Sequence, residues 1–180
     1  MLETARSFCL RADGIGRSLR TGNDRIASFD QKVNKRKVVF SIAIKEYSMS
    51  RDSTRQLSPS FKVREFACKG SDVVLLDDEL VVLLQCIREH FGKPVHITSG
   101  YRTAAHNAAV GGSKSSQHLL GRAADFRVEG VPVAAVAAYA ENLLPSRGGI
   151  GRYPKDAAHP KRSTGWVHID TRAGKSRWKM

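Results

Sequence analysis

Apolar residues recur at helical spacing most clearly between residues 77 and 92. Asp77 or Asp78 can cap the first turn of a helix, and Gly92 follows the last turn, where glycine commonly ends one. Five apolar positions between these ends share one face: Leu80, Leu83, Leu84, Ile87 and Phe91. A second helix is predicted from Pro132, which suits a first helical position, through an alanine-rich segment to Leu144. A third, short helix is predicted over 103–110.

Alternation of side chains predicts strands elsewhere in the second half of the chain. Residues 122–128 alternate, so that Ala123, Asp125 and Arg127 would share one face, opposite Ala124, Phe126 and Val128. Shorter strands are predicted over 94–98, 149–153 and 166–170. Because helices and strands do not alternate in a regular repeat, we expect an α+β domain with a small antiparallel sheet and helices packed against it.

The first 57 residues differ from the rest of the chain in composition and in hydrophobic periodicity. They are rich in charge and weakly periodic, and only residues 37–44 resemble a strand. We therefore expect 1–57 to be a poorly ordered extension or a wrongly assigned start of the reading frame, with Met49 a plausible true start. The folded domain is predicted to span 58–180.

The chain is strongly basic, with a formal net charge of +13 over 180 residues. An excess of this size favours a polyanionic partner such as nucleic acid, an anionic membrane or a cell-wall polymer, although solubility alone explains it equally well. No nucleic-acid-binding motif accompanies the charge, so nucleic acid is not predicted as a partner. No apolar run is long enough to span a membrane, and no secretory signal is visible in residues 1–14.

Three polar residues stand out as candidate metal ligands. His118, Asp125 and His168 would supply two imidazoles and one carboxylate, the type of ligand set that holds a catalytic zinc and leaves a position open for water. His118 is separated from the strand that carries Asp125 by a short turn ending in Gly121, which can fold the imidazole over the strand end. The cysteines form no Cys-x-x-Cys pair, so a cysteine-based zinc site is not predicted.

The residues around these ligands resemble a known family. Ser116-x-His118-x-x-Gly121-x-Ala123-x-Asp125, followed by His168-x-Asp170, is similar to the zinc D-alanyl-D-alanine carboxypeptidases, whose relatives include D-Ala-D-Ala dipeptidases and the L-alanyl-D-glutamate endopeptidases of phage lysins. The resemblance extends over about 59–178 and does not include the N-terminal region. Its further motifs are Phe61-x-x-x-Glu65-Phe66-x-Cys68, Ile97-Thr98-Ser99-Gly100-Tyr101-Arg102, His106-Asn107-x-x-Val110-Gly111-Gly112, Gly148-Gly149-Ile150-Gly151-x-Tyr153 and Arg177-Trp178.

The resemblance implies a hedgehog/D-Ala-D-Ala-peptidase-like fold and one Zn²⁺ held by His118, Asp125 and His168. It also places Arg102 near the substrate, where a guanidinium can stabilise a carbonyl oxygen that gains charge or hold a terminal carboxylate. Ser116 matches a serine that binds substrate or orients the His118 loop.

At the positions where relatives carry the general base, this chain differs from the family. Dipeptidase and endolysin relatives carry a glutamate three residues before the last zinc histidine, where this chain has Gly165, and other branches carry a histidine where this chain has Trp166. Asp170 is the nearest acidic residue and would act as the base or as a partner that orients an imidazole. His159, in the loop 155–164, is a second candidate.

The sequence therefore predicts a zinc-dependent peptidase that hydrolyses peptidoglycan stem peptides with a metal-activated water, as a D-alanyl-D-alanine carboxypeptidase or a related endopeptidase. The alternative is a non-catalytic cell-wall-binding module that keeps the fold. We expect a monomer. Since peptidoglycan lies outside the cytoplasm and no export signal is visible, release of the phage type or a misplaced start would account for access to the wall.

Overall fold

The computed structural model describes residues 44–156 and 164–180. Within these residues, nine strands and four α-helices form an α+β domain, as predicted. The strands are β1 (Ile44–Ser48), β2 (Gln56–Ser58), β3 (Phe61–Lys62), β4 (Val73–Asp77), β5 (Val95–Ser99), β6 (Ala123–Val128), β7 (Gly149–Tyr153), β8 (Trp166–Asp170) and β9 (Ser176–Lys179). The helices are α1 (Met49–Asp52), α2 (Asp78–Phe91), α3 (Ala104–Ala109) and α4 (Val133–Leu143).

The central sheet has five strands in the order β5-β6-β8-β7-β9. Pairing from β5 through β6 and β8 to β7 is antiparallel, as predicted, whereas the edge strand β9 runs parallel to β7. Strands β1 and β4 form a separate antiparallel pair, and so do β2 and β3.

The two faces of the central sheet have different roles. One face carries buried apolar side chains and packs against α2 and α4; it includes Ala124, Phe126, Val128, Ile150, Val167 and Ile169. The alternate residues of the same strands face the opposite way and include Asp125 and His168. Because side chains alternate along a strand, the strands that build the core also present the candidate ligands.

The helix predicted between residues 77 and 92 is confirmed as α2. The Asp77 carboxylate accepts a hydrogen bond from the Glu79 backbone N–H at 3.0 Å, and Gly92 follows the last turn in a left-handed conformation. The predicted apolar face is buried apart from its last residue, Phe91, which is half-buried. No helix among the described residues has the length and apolarity that a membrane-spanning helix requires.

The other predicted elements are present with small shifts at their ends. Strand β5 begins after Pro94, α3 occupies the middle of the segment 103–110, and Pro132 lies just before α4 instead of at its first helical position. Strands β7 and β8 have the predicted bounds. Proline lacks an N–H to donate, which is why it stands at the boundary of both elements.

Residues 44–57, which the sequence analysis assigned to the extension, form β1, α1 and most of β2. Strand β1 pairs with β4, and Tyr47 is buried in the common core. The predicted boundary at residue 58 therefore falls inside β2, and a chain that begins at Met49 would lack β1. The strand predicted over 37–44 lies outside the described residues except for Ile44, and residues 1–43 lie outside them entirely.

Replacement of Tyr47 tests whether β1 belongs to the folded unit. Tyr47→Ala removes a buried aromatic ring, so we expect the free energy of unfolding in urea to fall by about 3 kcal/mol. Glu46→Ala, on the exposed face of the same strand, is the matched control and should change it by less than about 0.5 kcal/mol. Equal stability of the two variants would show that β1 contributes nothing to the core.

Candidate metal centre

Two of the predicted ligands lie opposite each other on neighbouring central strands. Asp125 on β6 is the register partner of His168 on β8, and both point to the face away from the helices. The Asp125 Oδ1 atom lies 2.8 Å from Nδ1 of His168. This contact follows directly from antiparallel pairing, which brings the side chains of opposed residues close together.

The third predicted ligand, His118, comes from a turn of 3-10 helix over Gln117–Leu120. Gly121 ends this turn, and the chain then enters β6. The imidazole is fixed from behind because its Nδ1 lies 2.7 Å from the Gly100 carbonyl oxygen, to which it donates a hydrogen bond. Its other nitrogen, Nε2, lies 3.3 Å from Oδ2 of Asp125. The turn thus folds the ring over the strand end, as the sequence predicts.

The three side chains together fit a divalent metal ion. One donor atom from each of His118, Asp125 and His168 can be chosen so that all lie within 4.8 Å of one another. Each imidazole also has its second nitrogen engaged elsewhere, His118 with a backbone carbonyl and His168 with the Asp170 carboxylate. Such outer hydrogen bonds are the usual means by which a protein fixes the tautomer and orientation of a metal-binding histidine.

The charges around this cluster also suit a cation. Burial alone would raise the pKa of Asp125, but hydrogen bonds with His118 and His168 outweigh it and hold that pKa well below its usual range. Burial lowers the pKa of His168, yet Asp125 and Asp170 raise it more, so the net shift is upward. Two carboxylates therefore face one buried imidazole, and the negative charge that attracts a proton to it would also attract a metal ion.

Asp170 is fully buried behind His168 and has both oxygens occupied. Oδ2 lies 3.1 Å from His168 Nε2 and accepts from Arg172 Nη2 at 2.6 Å, while Oδ1 accepts from the Gly149 and Arg172 backbone N–H groups. Burial raises the pKa of Asp170, but hydrogen bonds with His168 and Arg172 outweigh burial and hold that pKa well below its usual range. A Cβ at residue 149 would lie 2.1 Å from Oδ2, so only glycine leaves room for this carboxylate.

A cleft of about 820 Å³ opens over the three candidate ligands. Arg102 lines it, and its Nη2 donates to Asp125 Oδ2 at 2.6 Å and its Nε to Ser99 Oγ at 2.8 Å. Ser116 also lines the cleft, whereas Asp170 does not. His96 and His106 lie outside the lining, and His159 lies outside the described residues.

Three aromatic side chains form one wall of this cleft: Tyr153 and Trp166, for which the sequence left a place in the cleft or in the core open, and Trp178, which the sequence did not single out. Trp178 on β9 lies beside His168, with ring centroids 5.0 Å apart, and donates from Nε1 to the Tyr153 hydroxyl at 2.9 Å. Tyr153 in turn stacks on Trp166 at 4.6 Å between centroids. All three rings are half-buried and line the cleft. Trp178 was quoted only as part of a motif, because no strand was predicted around it.

The family model for Peptidase M15 matches residues 59–170, which is more than half of the chain. The chain belongs to the Peptidase M15 family. The matched range includes all three candidate ligands, Arg102 and Ser116. The family resemblance that the sequence motifs indicated is thus confirmed.

Three curated relatives match a shorter segment of this M15 chain. It is 37% identical over 82 residues to a probable peptidoglycan L,D-endopeptidase MepK of Haemophilus influenzae, a match that covers 43% of this chain and 39% of the relative. It is 34% identical over 84 residues to the peptidoglycan L,D-endopeptidases MepK of Escherichia coli K12 and Shigella flexneri, covering 44% of this chain and 41% of each relative. The chain therefore matches about two-fifths of the length of these proteins.

The backbone at Gly165 leaves no room for a glutamate three residues before His168. Its φ of +68° lies in the left-handed region, and a Cβ there would lie 2.8 Å from both the Tyr153 carbonyl oxygen and the Lys155 backbone nitrogen. Any side chain at residue 165 would force the backbone of the preceding loop to move. A base at this position is incompatible with the local backbone.

Asp170→Asn tests whether Asp170 orients His168. We expect zinc affinity, measured by competition with a chelating dye, to fall by about 10- to 100-fold, because the amide holds the imidazole less firmly than the carboxylate. Glu46→Gln, which removes an exposed carboxylate on β1, should leave the affinity unchanged. Unchanged zinc affinity with complete loss of peptide cleavage would instead identify Asp170 as the base.

Gly165→Glu tests the local backbone constraint. We expect it to lower the free energy of unfolding by about 1–3 kcal/mol, because a non-glycine residue at this φ is strained and its Cβ meets backbone atoms. Gly174→Ala is the control, since a Cβ added to Gly174 would have no neighbouring atom within 4 Å. A stable Gly165→Glu protein with raised activity would contradict this interpretation.

Proposed function

We propose that this chain is a zinc-dependent peptidase that hydrolyses the stem peptides of peptidoglycan. The observation that carries the proposal is the cluster of His118, Asp125 and His168 at the base of a large cleft, in a chain of the Peptidase M15 family. A zinc ion held by these residues would lower the pKa of a bound water towards about 7 and polarise the scissile carbonyl.

The residues around the ligands have distinct proposed roles. Arg102 lines the cleft and donates to Asp125 through Nη2, and a further N–H of its guanidinium would donate to a carbonyl oxygen that gains negative charge during hydrolysis. Ser116 offers a hydroxyl to the peptide backbone of the substrate. Asp170 is a positioning residue, because its contacts keep Nδ1 of His168 turned towards Asp125.

The acceptor for the proton of the attacking water is not Asp170 in this proposal. Its two oxygens already accept hydrogen bonds from His168, Arg172 and Gly149, and its pKa is held low. Among the described residues that line the cleft, the only side-chain carboxylate and imidazoles are those of the three ligands. His159 therefore stays the remaining candidate base, predicted from the sequence alone.

We propose endopeptidase cleavage in preference to removal of a terminal D-alanine. A carboxypeptidase has to hold a terminal carboxylate, usually with a cation. The two arginines among the described lining residues, Arg102 and Arg172, are both paired with buried carboxylates, Asp125 and Asp170. The curated relatives are named as L,D-endopeptidases, which supports the same choice. The net charge of +13 would favour approach to an anionic wall.

The decisive measurement is mass analysis of products after zinc-loaded protein is incubated with purified muropeptides. We expect one zinc per chain and cleavage at one internal bond of the stem peptide, and His118→Ala should lose both. His106→Ala, which removes an imidazole outside the cleft, should keep both. A folded, zinc-loaded protein that cleaves no muropeptide would contradict the proposal.

The alternative is a module that binds cell wall without cleaving it. It is supported by the lack of a free base among the described residues of the cleft. Binding and cleavage measured on the same muropeptide separate the two functions. Saturable binding to the wild-type protein over hours, with the peptide recovered intact, would favour the module.

A further inference from the structure

A second cleft, of about 570 Å³, lies beside the candidate metal centre. Its described lining combines an apolar floor with a few polar side chains, and the floor includes Val131, Pro132 and Val133. Trp166 lines both this cleft and the one over the metal ligands. The two clefts therefore lie next to each other at Trp166, so an extended ligand bound over the metal ligands would have the second cleft beside it.

The register of the sheet sets the spacing between the two clefts. Arg127 lies two residues after Asp125 on β6, and Trp166 lies two residues before His168 on β8. Because alternate residues of a strand share a face, Arg127 and Trp166 extend the face that carries the ligands by one repeat, about 7 Å. An extended peptide advances by a similar distance over two residues, so a neighbouring residue of a bound peptide would reach Arg127.

The charge of Arg127 is not neutralised by any described carboxylate. Its side chain is exposed, and its hydrogen bond is to the Thr164 hydroxyl at 3.3 Å. Glu129, the acidic side chain in the described lining, lies 3.5 Å from His96 Nε2 instead. This distinguishes Arg127 from Arg102 and Arg172, which are both paired with buried carboxylates.

We propose that Arg127 and Trp166 form a specificity subsite for a substrate residue that carries a free carboxylate, next to the scissile bond. The guanidinium binds the carboxylate, Trp166 packs against the peptide backbone, and the apolar floor accepts the aliphatic part of the residue. The subsite deepens the proposed peptidase function and rests on it. The proposed substrates are peptides in which the residue next to the scissile bond carries a free carboxylate.

The test compares two synthetic stem peptides that differ only in having a free or an amidated carboxylate beside the cleaved bond. We expect zinc-loaded wild-type protein to cleave the free-acid peptide with a KM about tenfold lower and a similar kcat. Arg127→Gln should raise KM for the free-acid peptide to the value for the amide, leave the amide unaffected, and Arg127→Lys should recover part of the difference. Arg152→Gln, an exposed arginine on β7, should behave as wild type.

The outcomes separate the subsite from the peptidase activity. Equal KM values for both peptides, unchanged in Arg127→Gln, would overturn the subsite and leave the peptidase function standing. Cleavage of neither peptide would overturn the peptidase function, and calorimetric binding of the same two peptides would then decide on the subsite. Tighter binding of the free acid, lost in Arg127→Gln, supports it, whereas equal binding overturns it.

Discussion

The structure depends on the pairing of His168 with two buried carboxylates, Asp125 on one side and Asp170 on the other. Buried charges are costly unless they are paired and hydrogen-bonded. The surrounding contacts meet this requirement: Arg102 reaches Asp125, and Arg172 with the Gly149 backbone reaches Asp170. The same contacts hold Asp125 and His168 in place at the cleft, where their donor atoms, with that of His118, would suit a divalent cation.

The need to pair buried carboxylates also separates the arginines of the two clefts into two groups. Arg102 and Arg172 neutralise buried carboxylates and help to position the ligands, so their charge is largely used within the protein. Arg127, one repeat further along the same strand face, forms no ion pair with a described carboxylate, and for this reason we propose it as the group that binds an anion of the substrate. The proposed function therefore assigns metal positioning to Arg102 and Arg172 and substrate binding to Arg127, according to the groups that each arginine already contacts.

Much of the fold was predictable because its signals are local. The apolar spacing of α2 and the alternation in β6 predicted both elements, and the same alternation placed Asp125 opposite the core face. No strand was predicted at β2, β3, β4 or β9, and only the first residue of β1, Ile44, belongs to a predicted strand. Strand β1 buries only Tyr47, and β9 has no fully buried residue, so neither carries enough alternation to predict a strand. Strand β4 is apolar at its first four positions in succession, so its sequence carries no clear period.

The sequence by itself determined which residues offer metal-binding atoms and which strand face they share, because alternation along a strand is a local property of the chain. Only the tertiary structure decided what each of them contacts. Asp170 is enclosed by Gly149 and Arg172, Gly165 has no room for a side chain, and Trp178 reaches His168 from an edge strand. These facts depend on strand register and on loops that meet across the sheet, and both are set by contacts between residues distant in the chain.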